Sequence, residues 1–331
     1  MQMNDKHEID PHPFDHLGPE FIANAVESLG YMTDGRLLAL NSYENRVYQV
    51  GIEEASPVIA KFYRPDRWSR AAIEEEHAFA LELAAAEIPV VAPISFDGRT
   101  LHEVSPFHFA LYPRQGGRWP ELQNADERMW MGRFIGRIHA IGRSTHFQHR
   151  LHLNIDTWAT DSREYLLDQQ WIPDHLLDAY ESITDELLDQ MWNQWDAVGA
   201  SVLRLHGDCH LGNVLWTDGG PHFVDFDDCM MGPAVQDIWM LLSGSAAERS
   251  QQLREILDGY TQFARFDPAE LALIEILRTL RLMHYAAWLA RRWQDPAFPL
   301  AFPWFAENKF WEQHVLDLRE QLAALNEDVL Q

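Results

Sequence analysis

Cysteine is scarce in this sequence. Its 331 residues include two cysteines, Cys209 and Cys229, too few for the disulfide framework that stabilises many small secreted domains. This scarcity fits a protein that works in the reducing cytosol. Cys209 lies within the polar segment described below and Cys229 directly follows it; small packing residues beside a crowded loop are the simplest explanation for them.

Positive charge is scarce as well. Lys and Arg number 26 against 51 Asp and Glu, which gives a formal net charge of -25. Such an excess of negative charge argues against nucleic acid and anionic membranes as partners. It would suit a cationic substrate or a basic patch on another protein, although a generally solvated acidic surface is the simpler explanation.

Long apolar runs are also missing, and none of the hydrophobic stretches could span a bilayer. The stretch from Met1 to Glu8 is polar and acidic, unlike a signal peptide, and no internal repeat is visible. With 47% hydrophobic residues the chain can bury a large core, and its length predicts about two domains or lobes. We therefore expect a soluble, cytoplasmic protein.

The sequence does contain one polar segment in which several functional residue types follow each other closely. It runs from Leu203 to Asp228 and reads LRLHGDCHLGNVLWTDGGPHFVDFDD. An apolar run enters a tight polar turn that carries Asp208, and Asn213 follows it. Alternating apolar residues around an Asp-Gly-Gly turn predict two short strands, the second of which delivers another carboxylate, Asp225.

Phosphoryl transfer is the chemistry that needs this set. It requires an Asp that orients a hydroxyl and takes its proton, an Asn for a metal, and a second Asp that bridges Mg²⁺ to nucleotide phosphates. We predict Asp208 and Asp225 as catalytic residues, with Asn213 and Asp225 as metal ligands. A metal-dependent hydrolase is an alternative, because His206 and His210 flank Asp208, but it leaves Asn213 and Asp225 without roles.

The same spacing of Asp and Asn occurs in protein kinases, where Asp-Phe-Gly follows. Here the motifs are His206-Gly-Asp and Asp225-Phe-Asp-Asp, a variant that resembles the aminoglycoside phosphotransferase and choline kinase-like branch of the kinase fold. The resemblance implies a bilobal α+β fold. Its N-terminal lobe, residues 1–112, would be a small antiparallel sheet, and a hinge at 113–120 would lead to a mostly helical C-terminal lobe, residues 121–331.

Local patterns agree with a smaller first lobe. They predict a helix after a disordered start, a second helix rich in strong helix formers, and six strands. The helices are expected at 18–29 and 69–86, and the strands at 36–40, 46–52, 57–63, 90–96, 100–104 and 107–112. By the kinase resemblance, Lys61 on the third strand reaches the ATP phosphates and pairs with Glu76 or, as second choice, Glu75; an outward-facing lysine is the plain alternative.

Two more ATP contacts are predicted from position in this lobe. The 40–48 loop should cover the phosphates although it lacks a Gly-x-Gly-x-x-Gly motif. Ser42 is placed nearest to them, because Ser and Asn turns present amides and a hydroxyl to an anion. Backbone groups around Leu111 and Tyr112 are predicted to contact the adenine edge, just before a Gly-Gly segment suited to a hinge.

Helical spacing dominates the remaining residues. Helices are predicted at 125–142, 174–197 and 268–293, the last one introduced by Asp267 and Pro268. Asp237 is predicted to hydrogen-bond the backbone of the catalytic loop. The aromatic-rich tail, residues 291–304, is predicted to be loop-like.

Several blocks make the resemblance closer than the kinase fold alone. They are Asn41-Ser-Tyr-Glu-Asn-Arg-Val-Tyr-Gln, Lys61-Phe-Tyr-Arg-Pro with Arg67-Trp68, Gly232-Pro-Ala-Val-Gln-Asp and Arg291-Arg-Trp-Gln-Asp-Pro-Ala-Phe-Pro. From residue 40 to 304 the chain resembles the bacterial stress response kinase A family, Ser/Thr protein kinases on the aminoglycoside phosphotransferase fold. The resemblance implies ATP- and Mg²⁺-dependent phosphorylation of proteins, autophosphorylation and a stress role, with Ser42 as the ATP-contact serine.

The acceptor stays open at this point. A small-molecule kinase for an aminoglycoside-, choline- or homoserine-like cation would share the same phosphate machinery, and only the family resemblance favours a protein acceptor. Intact Lys61, Asp208, Asn213 and Asp225 disfavour a non-catalytic pseudokinase. ATP and Mg²⁺ are the expected ligands, the protein substrate is not identified, and a monomer is expected.

Overall fold

The fold combines a sheet-based N-terminal part with a largely helical remainder. A computed structural model describes residues 14–327, and its architecture confirms the α+β class expected from the sequence. The disordered start predicted for the chain lies outside the described residues, except for the short stretch that leads into the first helix.

Five antiparallel strands form the N-terminal sheet in the spatial order β1-β2-β3-β5-β4. They are β1 (Thr33–Ala39), β2 (Arg46–Ile52), β3 (Val58–Phe62), β4 (His102–Val104) and β5 (Phe107–Pro113). Successive side chains of a strand point to opposite faces. Ala60 and Phe62 therefore face an apolar cluster shared with helix α1 (Pro19–Glu27), while Ile59 and Lys61 face the cleft.

Helix α2 (Arg70–Ala85) follows β3 and begins at a capping serine. The side chain of Ser69 accepts a hydrogen bond from Ala72 N at 3.2 Å, which satisfies one of the free N–H groups of the first turn. Ile73 and Phe79 are buried against the rest of the protein, and the same helix carries Glu76 and His77 inward.

The prediction of a strand at 90–96 is wrong, because no strand forms there. Pro93 has no N–H to donate to a ladder, and the segment makes only isolated bridges. Val91 N donates to Phe223 O at 2.9 Å, and Ile94 N donates to Leu111 O at 2.7 Å. The segment thus connects the N-terminal sheet to the predicted hairpin that contains Phe223.

Helices make up most of the second part. They are α3 (Ala125–Gly142), α4 (Asp161–Asp168), α5 (Leu177–Val198), α6 (Gln236–Trp239), α7 (Ala246–Tyr260), α8 (Ile274–Arg292), α9 (Ala297–Ala301) and α10 (Asn308–Ala324). The three predicted helices are present, although 3₁₀ turns precede α5 and α8. The prediction of a loop-like tail is partly wrong, because the tail contains α9 and leads into a 3₁₀ turn at Pro303–Ala306.

Four short strands hold the segment that the sequence predicts to be catalytic. Strand β6 (Leu203–Leu205) pairs with β9 (Met230–Gly232), and β7 (Val214–Thr217) pairs with β8 (Gly220–Phe223) in the hairpin that the sequence predicts. Within residues 14–327, none of the helices combines the length and the hydrophobicity that crossing a membrane would require.

Candidate active site

The loop after β6 is fixed by one buried carboxylate. Asp237 accepts hydrogen bonds from His206 N and Gly207 N, both at 2.8 Å, which confirms the role predicted for it. Its Oδ2 also lies 3.0 Å from His139 Nε2. Gly207 has φ +86°, and a Cβ there would lie 2.1 Å from Asp228 O, so this turn requires glycine.

Asp208 and Asn213 meet at the end of this loop. A 3₁₀ turn at Leu211–Asn213 folds the chain back, so that Asn213 Nδ2 donates to Asp208 O at 3.0 Å and lies 3.4 Å from Asp208 Oδ2. The amide nitrogen is thereby oriented toward the loop. Asn213 Oδ1, a hard oxygen ligand, accepts no hydrogen bond from any residue in the range 14–327 and remains available to a cation.

Asp225 follows β8 in a left-handed backbone conformation, with φ +59° and ψ +68°. For a residue with a Cβ this conformation costs about 1–2 kcal/mol, and such strain is found preferentially at functional sites. The Asp225 side chain is 55% exposed to the cleft. Its backbone neighbour Val224 donates to Asn213 O at 3.0 Å, which ties the two metal-ligand candidates together.

Lys61 approaches the same point from the N-terminal sheet. Its Nζ lies 3.4 Å from Glu76 Oε1, 3.2 Å from Asp225 Oδ1 and 3.0 Å from Asp227 Oδ1. Burial alone would lower the pKa of Lys61, but the surrounding carboxylates raise it well above its ordinary value. Glu76 is thus the residue beside Lys61, whereas Glu75 accepts backbone hydrogen bonds from the 148–150 segment.

Asp227 is a residue that the sequence analysis missed. It is buried, bonds Arg67 in addition to Lys61, and accepts from the Arg150 guanidinium through its backbone carbonyl. Burial would raise the pKa of this carboxyl, yet the charges of Arg67 and Lys61 hold it well below its usual range. The Asp-Phe-Asp-Asp motif and the Arg67-Trp68 block were the available signals, but their contact depends on the fold.

A cavity of about 280 Å³ lies between the two parts of the chain. Ser42, Lys61, Glu76, Tyr112, Asn213 and Asp225 all line it. Ser42 Oγ donates to Asn45 O at 3.1 Å within the covering loop. Of the predicted site residues, Leu111 and Asp208 are not part of this lining. Leu111 is fully buried in the sheet. Asp208 contacts Asn213, which lines the cavity, but does not line it itself.

Asp208 has two cationic or polar neighbours of its own. Arg281 Nη1 donates to Asp208 Oδ1 at 2.6 Å, and His210 Nε2 lies 3.3 Å from Oδ2. His210 Nδ1 accepts from Gly212 N, so its ring proton lies on Nε2. Burial opposes ionisation, but the His210 hydrogen bond and the Arg281 charge hold the pKa of Asp208 well below its usual range. Arg281, on α8, was not predicted.

The covering loop is joined to the helical part by a network of ion pairs. Glu44 Oε1 lies 3.0 Å from Arg64 Nε and 2.8 Å from Arg292 Nη2, and Trp288 Nε1 donates to Glu44 Oε2 at 2.6 Å. Arg64 Nη2 also lies 2.7 Å from Asp295 Oδ2. The loop that carries Ser42 is therefore attached to the end of α8 and the tail after it.

The hydrolase alternative finds no support in this arrangement. His206 is buried and its Nε2 lies 2.9 Å from Val224 O, away from a shared metal position with His210. In the described part of the chain, no group of three His, Cys, Asp or Glu side chains could hold a metal by itself.

The fold and the site together define a bilobal, kinase-like phosphotransferase. A lysine–glutamate pair from the sheet and α2 faces an Asp-x₄-Asn loop and a second aspartate across a cleft. The model of the phosphotransferase enzyme family (APH) matches residues 36–274.

Proteins of similar sequence place the chain in a narrower group within this class. The chain is 46% identical over 318 residues to "Stress response kinase A" of Escherichia coli (strain K12), covering 96% of both chains. It is likewise 46% identical over 318 residues, with the same coverage, to "Serine/threonine protein kinase RdoA" of Salmonella typhimurium. The chain belongs to the APH phosphotransferase family and, within it, to the stress response kinase A group.

Solved structures agree on the fold. The amicoumacin kinase hAmiN, in complex with AMP-PNP, Ca²⁺ and Ami, superposes with a TM-score of 0.74 at 19% identity over 93% of each chain. At that identity the likeness establishes the architecture alone. The protein is a phosphotransferase enzyme, as the family and its kinase relatives show.

Proposed function

We propose that this protein transfers the γ-phosphoryl group of ATP, with Mg²⁺, to Ser or Thr hydroxyls of proteins, including its own. The observation that carries the proposal is the contact of Lys61 Nζ with Asp225 Oδ1 at 3.2 Å. It brings a phosphate-binding cation and a metal-binding carboxylate to one point of the cleft, as phosphoryl transfer from a nucleotide requires. The free, buried Cys209 and Cys229 suit a cytoplasmic site of action.

The oxygen donors fit a magnesium ion. Mg²⁺ is usually held by one or two carboxylates together with substrate phosphates, and it keeps several water molecules. Asp225 offers an exposed carboxylate, and Asn213 offers a free amide oxygen beside the same cavity. When bound there, Mg²⁺ would neutralise charge that develops on the transferred phosphoryl group.

The nucleotide would be held from the sheet side. Lys61, oriented by Glu76, would bind the phosphates, and the loop around Ser42 would cover them. Tyr112 lines the same cavity, whereas the Leu111 carbonyl is already engaged by Ile94 N. We therefore extend the adenine contact from Tyr112 toward residue 115, at the start of the proposed hinge, residues 113–120, between lobes 1–112 and 121–331.

Asp208 would act on the acceptor side. Its depressed pKa makes it a weak base that is ionised throughout the physiological range. In a loose transition state the acceptor hydroxyl loses its proton late, so the main contribution of such a carboxylate is to orient the hydroxyl and then to take the proton. The aligned hydroxyl attacks the γ-phosphorus while the bond to the β-phosphate oxygen breaks.

The proposal of a protein acceptor rests on the relatives. The two bacterial relatives at 46% identity are named for stress response and for Ser/Thr protein kinase activity. A small cationic acceptor is the second candidate, since the structurally similar hAmiN is named for a small-molecule substrate.

Labelled ATP separates these two candidates. The protein is incubated with γ-labelled ATP and Mg²⁺ alone, then with a Ser/Thr peptide library, and then with an aminoglycoside and choline panel. We expect label on the protein itself and on peptides, and none when EDTA removes the metal. Label that appears only on the small cations would overturn the protein acceptor, and no transfer to any acceptor would overturn the proposed function.

A further inference from the structure

One face of α8 connects the catalytic carboxylate to a second cavity. Arg281 contacts Asp208, and His284, Trp288 and Arg291 line a cavity of about 270 Å³. Steps of three or four residues keep these side chains on the same side of a helix. At 1.5 Å per residue, Trp288 and Arg291 lie roughly 10 and 15 Å along the axis from Arg281.

This second cavity, which we call the tryptophan cavity, is apolar inside and basic at its edge. Its apolar walls are formed by Trp68, Leu151, Trp158, Met230 and Trp288. Its charged members are three arginines, Arg67, Arg291 and Arg292, against a single carboxylate, Asp228. Burial lowers the pKa of the remaining polar member, His284, to about 4, so this ring is neutral at physiological pH.

Two arginines of α8, Arg281 and Arg291, keep N–H donors available for a ligand. Arg67 and Arg292 are paired with carboxylates of the protein. Arg281 uses one nitrogen on Asp208, is 39% exposed, and makes no other hydrogen bond within residues 14–327. Arg291 donates only to the Asp161 backbone carbonyl, at 3.1 Å, and its guanidinium lies over the Tyr165 ring.

Resting on the proposed function, we propose that the acceptor is an acidic protein segment, read by Arg281 beside the phosphorylated hydroxyl and by the tryptophan cavity further along α8. A strand advances about 3.3 Å per residue, so three or four residues span the roughly 10 Å along α8 from Arg281 to Trp288 in the cavity wall. An acidic neighbour of the Ser or Thr pairs with Arg281, and an apolar side chain enters the cavity with a further acid near Arg291.

Cationic acceptors are disfavoured by the same contacts. An ammonium group that approaches Asp208 must displace the Arg281 guanidinium or lie beside it, and a like charge at that distance is repelled. The net charge of -25 describes the whole surface, whereas selection at the acceptor depends on the few charges within a Debye length of the hydroxyl.

The test compares three peptides with the same central Ser and the same apolar flanking residues. Their remaining positions are acidic, amide or basic. We expect kcat/KM for the acidic peptide to exceed that for the basic one by at least about tenfold, which corresponds to about 1.4 kcal/mol. The difference should lie mainly in KM and decrease with added salt.

Three variants and one control locate the preference. Arg281→Glu should lower the acidic-to-basic ratio by at least about tenfold, and because both rates come from one variant, any common loss of activity cancels. Arg281→Lys should keep the order of the three peptides. Arg291→Glu should also lower the acidic-to-basic ratio, and it provides the test if Arg281→Glu is inactive toward every peptide. Arg319→Glu, a matched charge change on exposed α10, should leave the ratio unchanged.

The possible failures are distinguishable. If wild-type protein phosphorylates itself and all three peptides equally, or prefers the basic one, the acidic acceptor is overturned while the kinase stands. An unchanged ratio in Arg281→Glu and Arg291→Glu overturns the assignment of these residues. If the wild-type protein labels itself but no peptide, the inference is overturned while the kinase stands; if it labels neither, the protein acceptor fails and the inference fails with it.

Discussion

Lys61 Nζ lies 3.2 Å from Asp225 Oδ1, although 164 residues separate the two in the chain. The sheet alternation that turns Ala60 and Phe62 into the core turns Lys61 toward the hairpin that ends at Asp225. Lys61 is one of three lysines in the whole sequence, and it stands among three carboxylates. We therefore expect its charge to serve both the folded structure and the proposed binding of phosphate.

Removing the Lys61 charge should destabilise the protein. Lys61→Met leaves Glu76 and Asp227 buried with less compensation, and breaking a buried pair in this way costs about 3–5 kcal/mol. We expect a corresponding fall in the free energy of unfolding, measured with urea, and a loss of ATP affinity. Lys309→Met, an exposed lysine on α10, serves as the control.

A double-mutant cycle checks the cause. Glu76→Gln in the Lys61→Met background should restore part of the stability, because it removes one of the unpaired charges. Strictly additive effects of the two substitutions would contradict the coupling between these side chains.

Asp237 should matter for the chemical step more than for ATP binding. Asp237→Asn replaces an acceptor of two backbone N–H groups with an amide that also donates. Hydrogen bonds to a charged group contribute about 1.5–3 kcal/mol each, so we expect lower stability. We also expect a fall in kcat of roughly 100-fold, because Asp208 is no longer held in position.

Calorimetry with MgATP should show nearly unchanged affinity for Asp237→Asn. Asp258→Asn, the same substitution at an exposed position on α7, should leave both kcat and stability as in the wild type. A selective loss of ATP affinity, with kcat preserved, would show that Asp237 does not act through the catalytic loop.

The sequence was most informative where local patterns decide structure. The hairpin at residues 214–223 and the helix at Ala125–Gly142 follow from short-range spacing, whereas the predicted Asp237 contact with His206 N joins residues that lie 31 positions apart. No strand forms at 90–96, because Pro93 has no N–H to donate to a ladder and the segment makes only isolated bridges. Leu111 shows the limit of local patterns, since its backbone carbonyl accepts a hydrogen bond from Ile94 N, 17 residues away.

Long-range ion pairs were beyond the reach of the sequence. Arg281 lies 73 residues from Asp208, and Arg292 lies 248 residues from Glu44. Most arginines on a helix are solvated, and nothing in local spacing distinguishes these two. Only the packing of α8 against the catalytic loop and the covering loop reveals their partners.

Glu44 should control how long a nucleotide stays bound. Glu44→Gln removes the charge that Arg64 and Arg292 share, so the loop that carries Ser42 should open more readily. We expect the dissociation rate of a fluorescent ATP analogue, measured by stopped flow, to rise about three- to tenfold, or up to about 1.4 kcal/mol. Glu53→Gln, exposed on the sheet side, is the control, and an unchanged rate for Glu44→Gln would refute this role.

His314 should make stability fall in mild acid. Burial lowers its pKa from 6.5 to about 4, so below 6.5 the unfolded chain binds a proton that the folded chain does not. This group therefore reduces the free energy of unfolding as pH falls from about 6.5 toward 4, by about 2 kcal/mol at pH 5.

The substitution His314→Phe should remove that part of the pH dependence, because the ring stacks between aromatic neighbours and does not need a charge. Urea unfolding at pH 7.5 and pH 5 measures the difference, with exposed His149→Phe as the control. If His314→Phe and the wild type lose the same stability between these pH values, the ring does not titrate as described.

The most direct test of the central claim is transfer of labelled γ-phosphate by Asp208→Ala, measured beside its MgATP affinity. If Asp208 orients the acceptor hydroxyl, transfer to the protein itself and to peptide should fall by about 100-fold or more while calorimetry gives nearly wild-type ATP affinity. Asp218→Ala, in the exposed turn of the β7–β8 hairpin, should behave as the wild type. Phosphate transfer by Asp208→Ala at the wild-type rate would contradict the account.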